Sequence, residues 1–273
     1  MKNNSGPISL QLQACVSCGE KKPNSLKKLN FDTGYVQPRC AMNQKIVSMH
    51  AAYRSGKERV DGLLARPFVN RPMPALVLLH GYRGVDDAHK FITRKFATAG
   101  FVVLAPELFE GEPSKDPVVN AYRKTSLNIE KAVKKIDDSV AYLRSLPFVG
   151  KKKIALAGFC MGGGLALYGL ARSRKFAAGV IFYQSLFPDP AELKGIQVPL
   201  QCHYGALDKN ISLAEIDSFK ADLTRYKKKF EIHIYQGAGH AFLNNPTLPG
   251  TVNRKAADQA FSKSCKWLKK ALV

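Results

Sequence analysis

The sequence has no uninterrupted apolar run long enough to span a bilayer, which argues against a membrane-spanning helix. Its start, "MKNNSGPISLQLQACVSCGEKK", lacks a basic head followed by an apolar core and makes a poor secretion signal. The expected location is therefore cytoplasmic. The stretch "LQAC" loosely resembles a lipoprotein cleavage site and keeps a lipoprotein or periplasmic form open. Acidic residues are scarce, 21 against 42 Lys and Arg, for a formal charge of +21. Such a surface attracts anions. The basic residues are dispersed in short clusters such as Lys134–Lys135 and Lys227–Lys229, without interleaved aromatics or zinc-finger spacing. No specific nucleic-acid partner is expected. The six cysteines are scattered rather than spaced as a disulfide framework. Cys15 and Cys18 form a CxxC, and Cys40 and His50 could complete four zinc ligands. His50 falls in an apparent strand and the second half lacks paired spacing, so no metal site is assigned.

What is present is alternation. Residues 1–44 are polar, contain three prolines and show little periodicity; they read as an extension. From Lys45 onward strand-like and helix-like segments alternate. "KIVSMHAAY" and "RVDGLLARPF" read as strands joined by the turn "RSGK". "ALVLLH", "FVVLAPEL" and "KIALAGF" are short buried strands, and "AAGVIFYQS", "VPLQCHYG" and "FEIHIYQG" are further ones. Helices are expected over 87–100, ending at Gly100, and along Ile129, Val133, Ile136, Val140 and Leu143, which share one face. Others are expected over 161–173, 212–228 and 251–271. The alternation predicts an α/β fold: about eight strands, mostly parallel, with helices on both faces and the first pair antiparallel.

Within this frame "GFCMG", residues 158–162, has the form G-x-C-x-G between a strand and a helix. That is a nucleophile elbow with cysteine in place of serine. Gly158 and Gly162 let neighbouring backbones approach. The helix beginning after Cys160 favours thiolate over thiol. The Met161 N–H is one candidate oxyanion donor. α/β hydrolases run nucleophile, acid, histidine along the chain. Asp208, in "CHYGALD", and His240, in "YQGAGHAF", follow Cys160 in that order, each after a strand. Of the other histidines, His203 and His233 sit within apparent strands and His89 is expected on a surface helix. The second oxyanion donor is expected from "HGYRG", residues 80–84, through the N–H of Gly81 or Tyr82, with His80 bracing that loop. Cys202 and Cys265 are expected as buried core thiols.

The pieces "ALVLLHGYRGVDD", "GFVVLAPELFEGE", "IALAGFCMGGGLAL", "YGALD" and "GAGHAF" resemble the dienelactone hydrolase family, thiol-dependent members of the α/β-hydrolase fold, over about residues 45–273. The resemblance implies cofactor-free hydrolysis of a small-molecule ester or enol-lactone through Cys160, His240 and Asp208, in a monomer or dimer. The sequence departs from the family at three places. A glutamate that helps ionise the cysteine falls near Gly81. An arginine four residues after the histidine is Asn244 here. The other carboxylate-binding arginine has no certain counterpart, which leaves Arg83, Tyr122, Arg123 and Lys124 as candidate substrate contacts. These departures keep the hydrolase chemistry and remove dienelactone as a necessary substrate. The alternative is a binding or regulatory protein that keeps the pocket without turnover.

Overall fold

The computed structural model of the 273-residue chain describes residues 45–243 and 253–272. The extension assigned to residues 1–44, with Cys15, Cys18 and Cys40, lies outside the described residues, as does Asn244.

Eight strands form one sheet in the order β1-β2-β4-β3-β5-β6-β7-β8. β1 (Ile46–Ser55) and β2 (Glu58–Pro67) make an antiparallel hairpin, and β2 runs antiparallel to β4 (Val102–Pro106). From β4 onward every pairing is parallel, through β3 (Ala75–Leu79), β5 (Ile154–Phe159), β6 (Gly179–Phe182), β7 (Leu200–Gly205) and β8 (Phe230–Tyr235). Every residue of β3, β4, β5, β6 and β7 is buried. A strand buried at both odd and even positions is covered on both faces, which is why these segments read as continuous apolar runs. β1 and β8 are the edges and carry exposed positions.

The helical cover comes from α1 (Asp87–Thr98), α2 (Pro117–Thr125), α3 (Ile129–Ser145), α4 (Met161–Arg172), α5 (Leu213–Arg225) and α6 (Arg254–Leu272). α1 and α6 pack together through Phe96 and Phe261, ring centres 5.0 Å apart. Each helix start has a local cause. Asp86 caps α1 by accepting from the His89 N–H, Asn128 caps α3, and Ser212 with Glu215 forms a reciprocal capping box on α5. α3 buries Ile136, Val140 and Leu143 as its spacing predicts. His89 departs from its expected place. It lies on α1 as anticipated, but it is buried and its Nε2 meets the Leu78 carbonyl at 3.1 Å. Burial, with the neighbouring His80 charge, lowers it to about 3, so it is a neutral core histidine. The surface reading failed because a single polar residue on an apolar face is invisible to periodicity.

Candidate active site

The elbow is built first by exclusion. Cys160 sits between β5 and α4 with φ 55° and ψ −121°, a conformation that L-residues rarely adopt. Backbone bonds hold it there: its N–H donates to the Phe182 carbonyl, and its own carbonyl accepts from Gly163 and Ser185. A Cβ on Gly158 would collide with the Gly162 carbonyl, and one on Gly162 with the carbonyls of Leu79 and His80. The two flanking glycines thus have the steric reason their spacing suggested. α4 then runs into the core with eleven of its twelve residues buried.

The acid and the histidine arrive from the carboxyl ends of β7 and β8. Asp208 has a fully buried side chain. Its Oδ1 accepts from the N–H groups of Asn210 and Ile211, at 2.8 and 3.2 Å, which leaves Oδ2 facing His240. The Oδ2–Nδ1 distance is 2.8 Å. Cys160 and His240 line the same cavity and interact closely enough to shift each other's titration. Burial lowers His240, but its bonds to Asp208 and Cys160 outweigh that and hold it up at about 9. Burial raises Cys160, but hydrogen bonds from His240, Ser185 and the Met161 N–H, with the charge of His240, bring it below the ordinary thiol value. The two shifts have one source: each group favours the charged form of the other, so their titrations belong to the pair. Cys202 is the contrast: burial pushes it up to about 12.

The loop after β3 forms the opposite wall. Gly81 lies against the sulfur, since a Cβ there would stand 3.5 Å from Cys160 Cβ and 4.0 Å from Sγ. This is the position where the sequence lacks an acid, and glycine leaves the space open. The Tyr82 N–H has no acceptor among the described residues. Beneath the loop His80 acts as the expected brace, with a partner, Glu107, that the sequence did not suggest. His80 is fully buried; its Nδ1 meets the Gly81 carbonyl at 2.6 Å and its Nε2 meets Glu107 at 2.9 Å. Glu107 also accepts from Val85 and Phe109 N–H groups. Burial raises Glu107, but His80 and the backbone donors outweigh it and bring it to about 2. Burial lowers His80, yet Glu107 more than offsets this and leaves it raised. The signal for the pair was present, a lone acid after the "FVVLAP" strand and a lone histidine after "ALVLL", but their proximity is tertiary.

Substrate-side expectations divide. A cavity of about 280 Å³ opens on Cys160 and His240 and is lined also by Gly81, Tyr82, Arg83 and Asn120. Tyr122 and Arg123 are not among its lining residues. Tyr122 points to solvent, 71% exposed. Arg123 is buried, donates to the carbonyls of Glu112 and Tyr82, and lies over the Phe109 ring. Its guanidinium is occupied by the protein, which makes it a brace between α2 and the Tyr82 loop rather than a substrate clamp. Ser185, with Oγ 3.2 Å from Cys160 Sγ, was missed in the sequence because nothing marks a serine three residues past a strand.

An open, mostly parallel sheet with a strained cysteine at a strand–helix elbow defines an α/β hydrolase. Residues 60–272 match the sequence profile described as "Dienelactone hydrolase family", and the chain belongs to that family. A curated relative from Saccharolobus solfataricus, named "Putative carboxymethylenebutenolidase", is 29% identical over 255 residues, covering 80% of this chain and 96% of that protein. A Bradyrhizobium relative named "Probable 2-oxo-3-(5-oxofuran-2-ylidene)propanoate lactonase" is 29% identical over 203 residues, covering 69% of this chain and 80% of that one. In fold, the crystal structure of "Putative Dienelactone Hydrolase" from Klebsiella pneumoniae aligns with TM-score 0.77 at 20% identity, covering 83% of this chain and 99% of that one. The protein is thus a hydrolase of the dienelactone hydrolase type. Among the described residues no helix is long and apolar enough to cross a membrane.

Proposed function

We propose that the protein hydrolyses small carboxylic esters and lactones by covalent catalysis through Cys160. The Cys160 thiolate adds to the substrate carbonyl. The resulting oxyanion is held by the N–H groups of Met161 and Tyr82, and Gly81 leaves room for it to approach. His240, protonated in the resting pair, gives its proton to the departing alcohol oxygen as the tetrahedral species collapses to a thioester. In a lactone that oxygen stays tethered to the acyl group as the ring opens. His240 then takes a proton from water, which attacks the thioester and releases the acid and Cys160. Asp208 holds the Nδ1–H tautomer and the ring orientation throughout. The relatives' names, a carboxymethylenebutenolidase and a lactonase, favour lactone substrates. A cavity of about 280 Å³ suits a small molecule.

The observation that carries this reading is His240, held by Asp208 at 2.8 Å and lining one cavity with Cys160. The test is a panel of small esters and five-membered enol-lactones with wild type and Cys160→Ala. Turnover in wild type that is lost in the variant supports the reading; equal turnover in both rejects it.

A further inference from the structure

Besides His240, a second side chain faces the Cys160 sulfur, and it lies outside the proposed triad. It is Ser185, Oγ to Sγ 3.2 Å. Ser185 does not sit there by chance of rotamer. Its own N–H donates to the Cys160 carbonyl at 3.1 Å, which ties the two backbones together. Between β6 and Ser185 the chain passes through Tyr183, at φ 36°, a left-handed residue that turns the segment back toward the elbow. The elbow and the segment after β6 are therefore joined twice, once through backbone and once through this hydroxyl.

We propose that Ser185 is a positioning residue that donates a hydrogen bond to the resting Cys160 thiolate and so sets the pH at which the nucleophile becomes available. This rests on the reading of Cys160 as nucleophile. The chemistry is directional. A thiolate can only accept, so the Ser185 O–H must donate to it. A donor to a charged group stabilises the charged form more than a neutral pair would.

The other groups facing the sulfur do not replace it. His240 supplies the opposite charge, with Asp208 behind it. The Met161 N–H is a fixed backbone donor that the chemistry needs for the oxyanion. Tyr183 and Tyr82 are both held above the ordinary phenol value by burial and by the Cys160 charge, so neither adds a charge of its own. Arg83 lines the cavity without a hydrogen bond to the sulfur. Ser185 is thus the neutral donor that remains on Sγ when His240 moves its proton to the leaving group. It keeps the sulfur in place for the return step.

The test uses the full chain and iodoacetamide, with alkylation at Cys160 followed against pH by peptide mass spectrometry. Ser185→Ala should move the midpoint of Cys160 alkylation upward by about one pH unit. Ser185→Thr, which keeps the hydroxyl, should return it close to wild type. In the same variants the loss of hydrolysis should fall on the acidic limb of the pH profile and shrink as the pH rises. A wild-type midpoint below the ordinary thiol value that Ser185→Ala leaves unmoved overturns the role of Ser185 alone. A wild-type midpoint at the ordinary value overturns the thiolate reading of Cys160, and the Ser185 proposal with it. Equal shifts in Ser185→Ala and Ser185→Thr also overturn the proposal, because packing rather than the hydroxyl would then be responsible.

Discussion

α4 and α2 flank the same cavity and are built on opposite terms. α4, which starts at the proposed nucleophile Cys160, buries eleven of its twelve residues. α2 has nine residues and buries one, Arg123. Val118 and Tyr122 on α2 are 77% and 71% exposed. The lesson is a division of labour: the reacting atoms are held by the core, and the substrate side is held by one guanidinium on two carbonyls. Rigidity at the elbow keeps Cys160 in a strained conformation that would otherwise relax. On α2, side chains can change without disturbing the fold.

The sharpest way to break this contrast is through the elbow glycines. Gly162→Val places a side chain against the carbonyls of Leu79 and His80. It should destabilise by more than about 4 kcal/mol, since close-packed backbone cannot yield, and thermal unfolding would show it. Survival of the fold with an unchanged Tm would mean that the elbow is looser than described. Tyr122→Ala on α2 is the control, expected within about 0.5 kcal/mol of wild type.

The buried brace under the Tyr82 loop comes next. Glu107→Gln removes the carboxylate that meets His80 and accepts from Val85 and Phe109, at a cost of about 2 kcal/mol. The sign of the pH dependence follows from the depressed Glu107. Its contribution is full above the ordinary carboxyl value and is lost as the pH falls through about 2. Wild type should therefore lose stability on acidification toward that value more steeply than Glu107→Gln, as read by urea midpoints across the acid range. Parallel curves would remove Glu107 from the account.

Arg123→Met should matter less for stability than for activity. It keeps the bulk over Phe109 and removes the donors to Glu112 and Tyr82. A roughly tenfold fall in kcat, about 1.4 kcal/mol, is expected because the oxyanion donor loses its brace. A rise in KM restricted to anionic esters would instead make Arg123 a substrate contact. The smallest effect concerns the +21 charge. Preference for anionic over neutral esters should be modest and should fade at high salt, where screening acts within about 8 Å or less. A strong, salt-resistant preference would point to a local clamp at Arg83.

The same contrast explains what could be read from the sequence. β3, β4 and β5 are short, apolar and buried on both faces, so local pattern alone places them. Cys160 is visible because steric need writes glycines around it, and Asp208 and His240 because each follows a strand in hydrolase order. Ser185, Glu107 and the buried state of His89 depend on contacts between segments far apart in the chain, and one sequence holds no trace of those. The fate of Arg123 was hidden for the same reason. Its charge suggested a ligand, and only its burial shows that the protein uses it.

The measurement that tests the central claim most directly is intact-mass and peptide mapping of acid-quenched enzyme during turnover of a p-nitrophenyl ester. The ordinary pH range between the titrations of the thiol and of His240, near 9, is where the pair is active and where the sample should be taken. The account predicts one acyl group per chain on Cys160, accumulating further in His240→Gln, where the water step lacks its base. An acyl group on Ser185, or undiminished turnover with no adduct on Cys160, would contradict it.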